Sequence, residues 1–269
     1  MRSQRISAVE WSLALAALAW LALAVWGPVV TQPARYHEFA DQRTLWHVPF
    51  AMDVLSNLAF AWTALAGIRA LRRLAARRVT NMQRAMAMLF FTGLLLTALG
   101  SAWYHAQPTD ATLAVDRSGM AVAFAGILGF AIACHVSERA AAIAGPALLL
   151  LGAWAANGGT GNLLPWVALQ GGGMVVLVWL ALLRRRRGAP DVRWSVVIMA
   201  YALAKLFELQ DHQLYQMTGG LVAGHTLKHL AAALAAGPVV AALADLRRQG
   251  AHRLGAAARP VASRPLSDA

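Results

Sequence analysis

His225 and His229 stand four residues apart in the segment Gly224-His225-Thr226-Leu227-Lys228-His229. On a helix that step places both imidazoles on one face, about 6 Å apart along the axis, where two rings can share one metal ion. Ser101 and His105 repeat the same step in Gly100-Ser101-Ala102-Trp103-Tyr104-His105, and Asp116 follows eleven residues after His105. Three histidines drawn from two helices leave a fourth tetrahedral position open for water, the pattern of catalytic and not structural zinc. A carboxylate such as Asp116 beside that water could take its proton or orient a ligand imidazole. The expected site is therefore a Zn2+ ion on His105, His225 and His229, with Asp116 and Ser101 as catalytic groups.

Each element alone has a plainer reading. Two histidines four apart on an apolar helix often form a packing or proton-relay pair. A serine near a helix end usually bonds a backbone carbonyl, and Asp116 beside Arg117 could be a helix cap and an ion pair. What strengthens the site is its joint occurrence at one depth. Asp53, Ser56 and Asn57, then Lys205, Glu208, Asp211 and His212, fall at the same level as the histidines once the chain is divided into membrane spans. Ionisable residues within spans are costly and are functional candidates by default.

The elements that position these residues are read from composition. The chain has 269 residues, 59% hydrophobic and only 13% charged, with a mean hydropathy of +0.52. A soluble domain carries roughly 25% charged residues. The apolar residues fall in long runs, and a bilayer core of roughly 30 Å needs about 20 of them per crossing. Eight stretches qualify, at 8–30, 53–71, 84–104, 117–136, 139–156, 163–183, 194–213 and 221–245. The predicted fold is all-α: a polytopic transmembrane helix bundle, with an extra N-terminal helix in 1–30, a seven-helix domain in 31–246 and a disordered tail in 247–269. The first run is too long for a cleavable signal and lacks a small-residue cleavage site, so it reads as a retained helix.

The net charge of +12 does not point to nucleic acid, because the arginines sit in short clusters between the apolar runs. With both termini cytoplasmic, 19 arginines fall on inner segments and three (Arg35, Arg43 and Arg117) on outer ones. Excess cytoplasmic positive charge thus predicts a multi-pass protein of the cell (plasma or inner) membrane with its active site near the extracytoplasmic face. The lone Cys134 excludes an intramolecular disulfide and reads as a small buried residue.

At these residues the sequence resembles the alkaline ceramidase family, in the wider group of heptahelical membrane hydrolases that includes the adiponectin-type receptors. The resemblance rests on Ser56-Asn57, Gly100-Ser101 with Tyr104-His105, Asp116, and the segment from Gly224 to His229, and it runs from about Asp41 to Leu243. It implies zinc on His105, His225 and His229, with Ser101 and Asp116 beside the metal-bound water. The implied reaction is hydrolysis of the amide bond of a ceramide-like membrane lipid. The first helix is additional to the family's seven. The family also carries an acidic calcium-binding segment before its first core helix; here Glu38, Asp41 and Asp53 are sparse and differently spaced and Phe50 stands at one expected acidic position, so calcium is not carried over.

Other expectations complete the reading. Lys205 pairs with Glu208; Lys228 points away from the two histidines, toward Asp53 or Asp211; Asn57 bonds between helices. Trp103, Tyr104, Trp154, Trp166 and Trp194 anchor span ends at the membrane interface. His37, His47, His135, His212 and His252 are surface or interfacial, with His212 nearest to the cluster. Two rival functions remain open: an adiponectin-receptor-like sensor with the same zinc site, and an ion transporter, which would require polar residues through the full membrane depth.

Overall fold

A computed structural model describes residues 6–157 and 161–257, with side chains through Gln249. The described chain is mainly helical and has no strand, its only bridges being the isolated pairs Thr31–Asn162 and Leu45–Val48. In order the helices are α1 (Ala8–Trp26), α2 (Ala51–Ser56), α3 (Leu58–Arg72), α4 (Asn81–Ala106), α5 (Asp110–His135), α6 (Glu138–Ala156), α7 (Leu164–Leu182), α8 (Trp194–Leu209), α9 (Asp211–Met217), α10 (Gly224–Leu234) and α11 (Gly237–Ala257). Seven helical stretches among the described residues are long and apolar enough to cross a membrane; α2 with α3, and α10 with α11, each count as one.

The expected eighth crossing is helical but short. α8 has 16 residues and gives way at Gln210 to α9. The chain also breaks between α10 and α11, where Pro238 follows Gly237 and cannot supply a backbone donor. The expected tail differs as well: residues 247–257 continue α11 as helix, and 258–269 lie outside the described residues.

Local chemistry sets several helix starts. Ser7 with Glu10, Thr80 with Gln83 and Thr109 with Thr112 form reciprocal caps that satisfy the first free N–H groups of α1, α4 and α5. The Thr109 cap moves the start of α5 to Asp110, seven residues before the expected 117. Asp116 therefore lies inside the helix, in its second turn, and not at its head.

The core lies where α4 and α5 meet. A Cβ on Gly93 would stand 2.2 Å from the Ala123 backbone nitrogen, so only glycine permits this approach. Phe91, Phe130, Leu71, Leu177 and Leu180 fill the interior and are fully buried, as is Cys134. α1 lies at the periphery against α7, with Trp20 over Gly172. Only 6% of its most apolar window is buried, and Trp11, Leu15, Leu18 and Leu23 face outward. Such a surface suits lipid and not water. The arginine-rich ends of α3 and α7 gather at one end of the bundle; the end of α4 and the starts of α5 and α10 gather at the other. Arg84 donates to the carbonyls of Leu71 and Leu74, and Arg186 to that of Ala133.

Candidate metal centre

The last turn of α4, the first two turns of α10, and α2 converge at the end opposite those arginines. His105, His225 and His229 meet there. One candidate ligand atom from each lies within 4.8 Å of the other two, and all three residues are buried. The ring centroids are 4.7 Å apart for His105 and His225, 4.9 Å for His105 and His229, and 5.0 Å for His225 and His229.

Hydrogen bonding separates the three roles. Both ring nitrogens of His105 are buried and without a partner, although buried polar atoms nearly always have one. A metal ion would satisfy this ring, and its neighbours supply the rest of a histidine ligand set. His229 is oriented from behind: its Nδ1 lies 2.7 Å from Ser56 Oγ, and Ser56 Oγ donates to the Asp53 carbonyl at 2.9 Å. The serine hydrogen is committed to that carbonyl, so the imidazole proton sits on Nδ1 and the lone pair of Nε2 is left for an ion.

His225 has a competing partner. Its Nε2 lies 2.9 Å from Lys228 Nζ, while Lys228 also donates to Glu208 at 2.9 Å. Glu208 accepts from Lys205 at 2.6 Å as well. The expected Lys205–Glu208 pair is present. Lys228 departs from expectation, because it turns into the site and pairs with neither Asp53 nor Asp211. An ammonium only donates, and a neutral imidazole has one lone pair. Whichever nitrogen His225 gives to a metal, the Lys228 contact must be released to Glu208.

Two carboxylates fix the start of α10. Asp211 Oδ1 accepts from the His225 backbone N–H at 2.7 Å, and Asp53 Oδ1 accepts from Thr226 Oγ1 at 2.6 Å. Gly224 allows the approach, since a Cβ there would lie 2.3 Å from the Phe207 carbonyl. Asn57 bonds the carbonyls of Asp53 and Val54, one turn back, and not a second helix.

The segment between α1 and α2 covers the histidines. Phe39 is buried with its ring centroid 4.5 Å from His105 and 4.7 Å from His225. The segment is tied down by Ala40 N–H to Asp211 at 3.0 Å, by His212 Nε2 to the Glu38 carbonyl at 3.2 Å, and by His37 to Tyr104 and Asp110. Asp41 is fully buried and held in a fork by Arg43. Burial alone would raise the Asp41 carboxyl, but the Arg43 side chain and backbone N–H hold it below the usual carboxylate range. Arg43 in turn donates to the Leu221 carbonyl, before α10.

Asp116 and Ser101 are both buried beside this cluster. Asp116 Oδ1 is buried without a hydrogen-bond partner. Asp116 lines a cavity of about 780 Å³ together with His225, Lys228, Glu208 and Arg117. An apolar groove of about 560 Å³ between α7 and α8 shares Gln170 and Lys205 with that cavity.

Of the expected interfacial anchors, Trp103 and Trp154 are exposed on the bundle surface, whereas Tyr104, Trp166 and Trp194 are buried. Tyr104 packs on Phe39, Trp166 lies against Arg117, and Trp194 donates to His135. His252 lies outside the described side chains. Sequence reasoning gave no role to Phe39 or to the Asp41–Arg43 fork, and no periodicity marks them. The Ser56 contact was within reach, since Ser56 was already placed at the depth of the histidines. No protein-family model, curated protein or solved structure matches this chain.

Proposed function

We propose that this protein is a zinc-dependent intramembrane hydrolase that cleaves the amide bond of ceramide-like lipids to a free fatty acid and a long-chain base. The observation that carries the reading is the His105 ring, buried with two unpartnered nitrogens at the centre of three converging imidazoles. A site built only for packing would leave those nitrogens bonded or absent.

A bound zinc ion would supply an activated water and polarise the substrate carbonyl. The chain's own groups do the rest. Asp116, which lines the cavity, takes the proton of the attacking water and returns it to the leaving amine. Ser101, buried in the last turns of α4 as Asp116 is in α5, donates to the developing oxyanion. Phe39 caps the imidazoles and limits water. The groove between α7 and α8 offers an apolar path for an acyl chain while the amide sits in the polar cavity; this match of shape to an amphiphile supports a lipid substrate.

In this reading α8 with α9 completes an eighth crossing. Both termini are cytoplasmic, and the histidine end faces the extracytoplasmic side. An ion pathway is disfavoured by what lies beneath the site: that pocket is lined by Phe60, Phe90, Leu94, Phe124, Ile127 and Leu177 among other mainly apolar groups. The test is fatty-acid release, followed by mass spectrometry, from ceramides and related amides presented to the purified zinc-loaded protein in nanodiscs. Release by wild type and none by His229→Ala is the expected result. Absence of release from every amide, or equal release by the variant, would remove the hydrolase reading and leave the sensor.

A further inference from the structure

Arg117 is 8% exposed. It follows Asp116 on α5, and both residues line the cavity that reaches His225 and Lys228. Its guanidinium lies 5.5 Å from the ring centroids of both Tyr36 and Trp166. One hydrogen bond engages it, from Nη2 to the Tyr36 hydroxyl at 3.2 Å, and Nε is buried without a partner. Among the described residues no carboxylate forms an ion pair with it, although every other cation on this cavity has one. Arg35 pairs with Glu38, and Lys205 and Lys228 share Glu208.

A guanidinium this deeply buried is normally matched by an anion, because desolvation of an unpaired charge is severe. The two aromatic rings offset part of that cost and fix the plane of the group. Beyond the one bond to the Tyr36 hydroxyl, its donors engage no group among the described residues. Snorkelling to the membrane surface does not account for the side chain, which is enclosed by Tyr36 and Trp166 and is not exposed. What remains is a planar donor fork held in place and lacking its acceptor, next to the carboxylate assigned to proton transfer.

We propose that Arg117 binds an anionic group, a carboxylate or a phosphate, carried by the amine half of the substrate. The inference rests on the lipid-amide reading above and narrows it. The preferred substrates are then acylated amines with an acidic head, and neutral ceramides are the poorer ones. Asp116 and Arg117 are consecutive on a helix, about 100° apart around its axis. One cavity can thus place the scissile amide before the carboxylate and the acidic head before the guanidinium.

The test compares binding of three lipids with one acyl chain to the full-length protein in nanodiscs: N-oleoylglycine, N-oleoyl-phosphoethanolamine and the uncharged N-oleoylethanolamine. At least one acidic lipid should bind about tenfold more tightly than the neutral one, as expected for a charge-assisted bidentate contact. Arg117→Gln should bring that ratio close to one, and Arg117→Lys should keep an intermediate preference. Retention of the Lys variant's preference shows that the position tolerates substitution without loss of the fold. The carboxylate and phosphate arms identify which acid is read. Equal binding of all three lipids, failure of all three to bind, or a ratio unchanged in Arg117→Gln overturns the proposal. Because binding is measured and not turnover, a preference that persists without any hydrolysis would refute the hydrolase reading and leave the anion site standing.

Discussion

Ser56 Oγ stands 2.7 Å from His229 Nδ1, behind the ring and away from the point where the three imidazoles meet. Its own proton goes to the Asp53 carbonyl on the same helix. The serine is thus a fixed acceptor that selects one tautomer of His229. Outer partners of this kind typically change metal affinity by about 10–100-fold. Ser56→Ala should weaken zinc binding within that range while the protein stays folded, as read by chelator competition. An unaltered zinc affinity would show that the serine does not set the ring.

Lys228 should act in the opposite direction. Its ammonium lies against His225 Nε2 and must turn away when the ring takes an ion. It also places a positive charge near the incoming cation; at 4 Å two unit charges repel by about 4 kcal/mol at an effective dielectric of 20. Lys228→Met should therefore tighten zinc binding, by roughly tenfold after part of that term is screened. Weaker binding in the variant would mean that Lys228 supports the site and does not compete for it.

Asp211 joins three elements by accepting from the His225 and Ala40 backbone N–H groups. Hydrogen bonds to a charged acceptor contribute about 1.5–3 kcal/mol each. At about 2–4 °C per kcal/mol for a chain of this size, Asp211→Ala should lower the thermal unfolding midpoint by about 6 °C or more and weaken zinc binding as well, because the first turn of α10 loses its anchor. A destabilised variant with normal zinc affinity would separate that anchor from the histidines.

The Asp41–Arg43 fork gives the covering segment a pH dependence. The Asp41 carboxyl titrates lower in the folded protein than in the unfolded chain, so the fork stabilises fully above the unfolded value, near about 3.9. That stability is lost as pH falls through the folded value. Hydrogen exchange at residues 36–43 should rise in acid in wild type, and Arg43→Gln should show raised exchange already at neutral pH. Identical exchange in the two proteins at neutral pH would contradict this role.

Much of the site was legible because it rests on helical periodicity. The four-residue steps from Ser101 to His105 and from His225 to His229 needed only helices in apolar runs, and the three rings do converge. The charged step from Lys205 to Glu208 was legible for the same reason. Lys228 was not, because helical phase alone cannot show that Glu208 of a neighbouring helix draws the side chain back across His225. The start of α5 was placed late because hydropathy outweighed the Thr109–Thr112 cap. Tyr104, Trp166 and Trp194 were read as lipid anchors from their position near span ends, yet each finds a polar partner or ring inside. The Phe39 cover lies in an irregular segment whose contacts come from α4, α9 and α10, so no local pattern could announce it.

Metal content tests the central claim most directly. Wild-type protein purified in detergent, loaded with zinc and freed of excess, should hold one zinc per chain by elemental analysis. His105→Ala, shown to be folded by its helical circular dichroism and monodisperse elution, should hold almost none. A folded wild type that retains no metal, or a His105→Ala variant that retains as much, would contradict the account.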